Sequence, residues 1–238
     1  MQMKHLIQSF VLVALAMAPA SGIASVSASN CEDSDNTCKE FEHLMETQQP
    51  EVIIAQYNPA RQYSEISLRY VGAAFLQLAS ADDITPEQEE FYYRKALEVK
   101  QYIAYMGLYF FYAGKDEEKA LGFLREYVMT KPADTVPYII LGESELNRQH
   151  YDLADTYLRE GKKVARAHSP RVDWLLFEAN YMLKKYQFAK EMFESAVTQG
   201  DFNKEIKALI TDPRFEGIDK RPEFESYQSM LKAVKASS

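Results

Sequence analysis

The sequence predicts an all-α fold, a solenoid of stacked antiparallel helix hairpins. Ala120, Ala154 and Ala189 recur at intervals of 34 and 35 residues, and each is followed four residues later by a large apolar side chain, Leu124, Leu158 or Phe193. That interval suits one helical hairpin with its turns, and a small residue inside each hairpin lets two helix backbones approach closely. Elsewhere apolar residues recur with a helical period, and nothing alternates long enough to demand a sheet.

The N-terminus is set apart from the fold. Lys4 and His5 precede an apolar run at 10–18 and a small-residue tail at 20–29, the pattern of a secretory signal peptide. Cleavage after Val26-Ser27-Ala28 is expected, with cuts near Ala20 or Val26 as alternatives, giving a signal over 1–28, a polar lead over 29–60 and a helical repeat domain with a C-terminal cap over 61–238. Export to a bacterial periplasm is the expected localisation, with secretion as the alternative. No later apolar segment reaches membrane-spanning length, so no transmembrane segment is expected in the mature chain. Loss of Lys4 moves the formal charge from -8 to -9, with 26 basic against 35 acidic groups, a surface that repels nucleic acid. Cys31 and Cys38, the two cysteines, suit a local disulfide in an oxidising compartment; a thiol redox pair or unpaired and intermolecular thiols are the alternatives. Asp33 and Asp35 in that loop leave weak metal binding open.

In chain order, a short helix is expected around 39–48, before Pro50. Ile66, Tyr70, Ala73, Ala74, Leu78 and Ala81 then mark one over 61–81. Thr85, Pro86 and Gln88 or Glu89 form a start signal, an N-cap residue followed by proline at the first helical position. The apolar pattern runs on from Phe91 to Ala113 as one long helix or two, with Gly107 as a mild breaker. Further helices are expected at 117–129, 135–147, 151–168, 171–183, 187–198, 204–209 and 222–234, separated by Pro132, Gln149-His150, Pro170, Lys184-Lys185 and Gly200.

Tyr138, Leu141, Gly142, Tyr151, Ala154 and Leu158 together resemble a tetratricopeptide repeat (TPR) of the kind found in bacterial exported proteins. The preceding unit supplies Leu108, Phe111, Ala120, Leu124 and Pro132 in equivalent places. The following one supplies Leu176, Tyr186, Ala189, Phe193 and Ala196, but has Phe177 at the packing glycine and Trp174 one residue late. The resemblance covers roughly 101–203 and implies a right-handed α-α superhelix. Asp212-Pro213-Arg214-Phe215 and Arg221-Pro222-Glu223-Phe224 are similar to closing segments after such repeats, with Phe215 and Phe224 placed to cover the last hairpin.

No catalytic arrangement is legible. There is no His-Glu-x-x-His metal pattern, Gly-rich phosphate loop or Gly-x-Ser-x-Gly elbow, so no enzyme activity, metal or cofactor is expected. The stronger signal is Tyr102, Tyr105, Tyr109 and Tyr112, whose spacing puts four aromatic rings on one helix face. In the repeat register that face lines the inner surface, continued by Glu143 and Asn147 and then by Arg171, Trp174, Glu178 and Tyr181. Such a surface suits a protein or peptide partner, and its acidic members favour one bearing Lys or Arg. The alternative is that the tyrosines and Trp174 are packing residues. The expectation is therefore an exported, non-enzymatic protein-interaction adaptor. A structural subunit of an envelope complex and a helical enzyme with an unrecognised site are the rivals.

Overall fold

The computed structural model describes residues 31, 32, 34–229, 231 and 232; the expected signal peptide, Asp33 and the end of the expected last helix lie outside the described residues. Every extended regular element among the described residues is helical: α1 (Asn36–Glu46), α2 (Pro50–Gln56), α3 (Glu65–Ala79), α4 (Pro86–Glu98), α5 (Ala104–Tyr112), α6 (Glu117–Met129), α7 (Val136–Asn147), α8 (Tyr151–Val164), α9 (Pro170–Met182), α10 (Tyr186–Gln199) and α11 (Asn203–Thr211). Three short 3-10 segments follow, at Pro213–Phe215, Ile218–Lys220 and Pro222–Tyr227. The helices fall into two compact units that meet in sequence between Thr130 and Lys131.

In the first unit α3 packs on α1, α2 and α4, α4 on α5, and α5 on α6. Its core comprises Phe41, Ile53, Val71, Phe75, Tyr93, Ala96 and Leu108. Phe41 and Ile53 come from the segment expected to be a polar lead, and α2 was not foreseen. Pro50 starts that helix rather than interrupting the chain, because the first helical position needs no backbone N–H. The Cys31–Cys38 disulfide is formed, with the Cα atoms 5.6 Å apart. Asp35 caps α1 by accepting from the Cys38 N–H at 2.9 Å and ties the loop to α3 by accepting from the Ser64 hydroxyl at 2.6 Å. These hydrogen bonds, Ser64 foremost, hold its carboxyl below the usual carboxylate range.

Thr85 and Gln88 form a reciprocal capping box at the start of α4, with Pro86 at its first positions, as expected. The break between α4 and α5 differs from expectation. Gly107 lies inside α5, where a Cβ would stand 2.2 Å from the Tyr93 ring, so its role is close approach and not interruption. The chain turns at Lys100 instead, which has φ 62°.

That turn recurs. Gly114, Gln149 and Lys184 all have positive φ and lie 35 residues apart, each between the two helices of a hairpin. At the latter two the next N–H reaches back five residues, His150 to Glu145 and Lys185 to Asn180, both at 2.9 Å, the hydrogen bond that closes a left-handed helix C-terminus. A side chain in this conformation costs roughly 1 kcal/mol. Lys184→Gly is therefore expected to stabilise the second unit by about 0.5–1 kcal/mol after the greater freedom of glycine in the unfolded chain is offset, read as a rise in denaturation midpoint.

In the second unit α7 packs on α8 and α9, α8 on α9, and α9 on α10. Gly142 faces the Leu158 side chain, 2.6 Å from where its Cβ would be. In the next hairpin Phe177 takes that place and meets Phe193 edge-on at 5.2 Å. Phe215 stacks on Phe177, and Phe224 packs on Phe177, Tyr181 and Phe193. The helix expected over 222–234 begins instead as a 3-10 segment over Pro222–Tyr227, kinked at Phe224 (φ -105°, ψ 16°), and is α-helical at the described residues 228, 229, 231 and 232. A straight helix presents side chains in a fixed rotation, whereas this kink turns Phe224 wholly into the core.

Candidate functional site

The predicted tyrosine face belongs to the first unit. Tyr102 precedes α5 in a turn, is 40% exposed, and stacks on Tyr105 at 6.5 Å with 11° between ring planes. Tyr105 is half-buried and reaches Tyr127 of α6 at 6.3 Å. Burial pushes its hydroxyl pKa up, with the Glu126 carboxylate as the next cause. Tyr109 is half-buried and meets Phe110 edge-on. Tyr112 is different: it stacks on Phe123 at 5.7 Å and carries the Lys119 ammonium 3.8 Å above its ring. Its hydroxyl hydrogen-bonds Glu90, the largest influence holding that carboxyl low. Tyr112 thus packs against neighbouring elements, while Tyr102 and Tyr105 form the accessible end of the stripe.

The remaining predicted residues lie in the second unit. Glu143 of α7 accepts two hydrogen bonds from Arg171 of α9, at 2.6 and 3.0 Å, in a solvent-facing ion pair. Asn147 is exposed at the end of α7. Trp174 is 1% exposed and surrounded by Phe177, Phe193 and Phe202, the last stacked on it at 5.0 Å. Its position in the repeat suggests an inner surface, but α11 is preceded by Phe202, which covers the indole, so Trp174 is a core residue and not a wall of an open groove. Tyr181 is also buried, against Phe215 and Phe224. Its hydroxyl accepts from Arg221 Nε at 3.1 Å, while the same guanidinium donates to Tyr186 and lies 3.6 Å above that ring.

Glu178 accepts from the Trp174 indole N–H at 2.6 Å. Burial raises its pKa, and the indole hydrogen bond and the Arg214 and Arg171 charges only partly oppose this. With the folded value above the unfolded one, the native state binds more protons between the two, so stability falls as pH rises through that window. Glu178→Gln, which keeps an acceptor for the indole, is expected to raise the unfolding midpoint at pH 7 and to flatten its dependence above pH 4.5, measured by thermal melts across pH.

Two polar clusters of the second unit were not foreseen. Asp173, 1% exposed, accepts from Lys162 Nζ at 2.6 Å and from the Ser195 hydroxyl at 2.5 Å, and has His168 Nε2 at 3.1 Å. Asp155 receives Arg159 Nε on both oxygens at 2.9 Å and Asn180 Nδ2 at 2.7 Å, with Lys185 at 3.7 Å. The available signal was a carboxylate inside an apolar stretch, as in Val172-Asp173-Trp174, but sequence does not say which distant cations meet it.

Ser195, His168 and Asp173 do not form a nucleophilic triad. The serine proton is directed to the carboxylate, and one imidazole nitrogen faces both partners, so the imidazole does not relay between them. Among the described residues no group of three or more His, Cys, Asp or Glu side chains converges as a metal site, and no helix is long and apolar enough to cross a membrane. An open hollow of about 260 Å³ is lined by residues of 210–219, including Asp212, Phe215 and Asp219, without a nucleophile and base in contact.

Charge separates the two units. Residues 31–130 carry 18 acidic and 9 basic side chains, whereas residues 131–238 carry 17 of each. This asymmetry was readable in the sequence once a boundary was known. A scan against protein-family models found no match to the chain, and a search of curated proteins found none either.

Proposed function

We propose that this chain is an exported, non-enzymatic protein-interaction module whose helix hairpins form a right-handed, TPR-like superhelix and whose partner is a protein or peptide. The observation that carries the reading is the recurring hairpin with its left-handed turns at 114, 149 and 184, combined with partly accessible aromatic rings at Tyr102 and Tyr105. Stacked hairpins present extended surfaces suited to binding, and rigid aromatic side chains supply binding energy at small entropic cost. Export is supported by the N-terminal sequence pattern and by the Cys31–Cys38 disulfide, a bond that persists in oxidising compartments.

The test is affinity purification of the full chain from its native exported fraction, beside a Tyr102→Ala/Tyr105→Ala variant of matched helical circular dichroism. N-terminal sequencing should find the chain beginning after Ala28. A reproducible partner that the variant loses supports the adaptor role. Retention of the full N-terminus inside the cell, or no partner in stoichiometric yield, counts against it.

A further inference from the structure

Deepening the interaction-module reading, on which it rests, we infer that docking is lodged in the first unit, where Tyr102, Tyr105 and Glu126 receive a lysine- or arginine-bearing segment of a partner protein. The second unit then serves as a scaffold of balanced charge.

The argument starts from charge. The first unit has twice as many acidic as basic residues, and most of its cations are already engaged. Arg69 pairs with Glu65, Arg94 with Glu90, Lys95 with Glu98 and Arg125 with Glu118, at 2.6–3.5 Å. Lys115 and Lys119 lie 3.7 and 3.8 Å above the Phe111 and Tyr112 rings. The surplus is therefore negative and uncompensated within the unit, a field that attracts cationic segments and repels nucleic acid and anionic lipid.

Aromatic geometry locates the contact. Tyr102 and Tyr105 offer parallel rings, the outer one 40% exposed, and Tyr105 meets Tyr127 at 6.3 Å, whose chain neighbour on α6 is the exposed Glu126. A ring face next to a carboxylate suits a guanidinium or ammonium, which gains cation–π attraction and an ion pair together. In the second unit the corresponding aromatic residues, Trp174 and Tyr181, are buried, and Arg171 is paired with Glu143.

The test uses the mature chain and a fluorescein-labelled short peptide of Lys, Leu and Ser, with a Glu-for-Lys peptide as control, read by anisotropy. The cationic peptide should bind and the acidic one should not. Tyr102→Ala and Glu126→Lys, both at exposed positions, should each weaken binding roughly tenfold, Arg171→Glu should leave it unchanged, and affinity should fall as salt rises from about 50 to 200 mM. Equal binding by wild type and both first-unit variants, or an equal effect of Arg171→Glu, would overturn the assignment while leaving the module reading to the co-purification result. Equal binding of both peptides would overturn the charge selectivity. Binding of neither by folded protein would overturn the inference outright.

Discussion

Trp174→Ala is expected to destabilise the second unit by about 3–5 kcal/mol, the range for deleting a fully buried aromatic side chain that its surroundings cannot refill. The indole touches Phe177, Phe193 and Phe202, and its N–H is the donor to Glu178. Its loss leaves a cavity between α9 and α10 beneath Phe202 and removes the hydrogen bond that partly offsets the burial of a carboxylate. Urea titration followed by far-ultraviolet circular dichroism measures the effect, since the variant has no tryptophan to report fluorescence. A loss below about 1 kcal/mol would mean that the indole lies at an accessible surface after all. The same reasoning makes Trp174 unsuitable for probing partner binding, because a variant that unfolds loses every partner.

Asp173→Ala is expected to cost about 2–4 kcal/mol, because one buried carboxylate holds three segments together: Lys162 of α8, His168 of the following loop and Ser195 of α10. The estimate lies below that for a wholly buried ion pair, since the Lys162 side chain keeps 41% of its exposure and regains water when its partner is removed. Lys162→Met should cost about 1–2 kcal/mol, less than the alanine change, because the buried Asp173 carboxylate loses its cation but keeps the Ser195 hydroxyl and the neighbouring His168, while the alanine change strands Ser195 and empties the site. The single tryptophan, adjacent to Asp173, reports this transition by fluorescence. Equal losses for the two variants would show that the Lys162 ion pair alone carries the interaction.

Helix content was legible because it rests on local rules. Thr85-Pro86 and the Ala120, Ala154 and Ala189 series each state their structural role within a few residues, whereas Pro170, expected as a break, is the first residue of α9 behind the Ser169 cap. The errors occur where a residue has two local meanings. Gly107 reads as a helix breaker and proves to be the seat of the Tyr93 ring, and Pro50 reads as an interruption and proves to be a helix start. The segment after Pro222 has helical composition, but it begins with a kinked 3-10 turn in which Phe224 is buried. For the candidate surface, spacing alone assigned all four tyrosines to one face. It could not distinguish exposed Tyr102 from Tyr112, which is engaged by Glu90, Lys119 and Phe123 from elements on either side.

The sequence by itself determined the all-helical character, the hairpin period and the acidic balance of the chain, because each depends on residue type and short-range spacing, and it favoured the Cys31–Cys38 pairing that the structure shows. Only the tertiary structure decided that Phe202 closes over Trp174, that Lys162 and Ser195 converge on Asp173 from 11 and 22 residues away, and that the surplus charge falls in the unit holding the accessible tyrosines. Those outcomes depend on which helix faces meet. Many pairings bury the same apolar residues, and the choice among them is made by side-chain shape and by the cost of leaving a buried carboxylate unpaired.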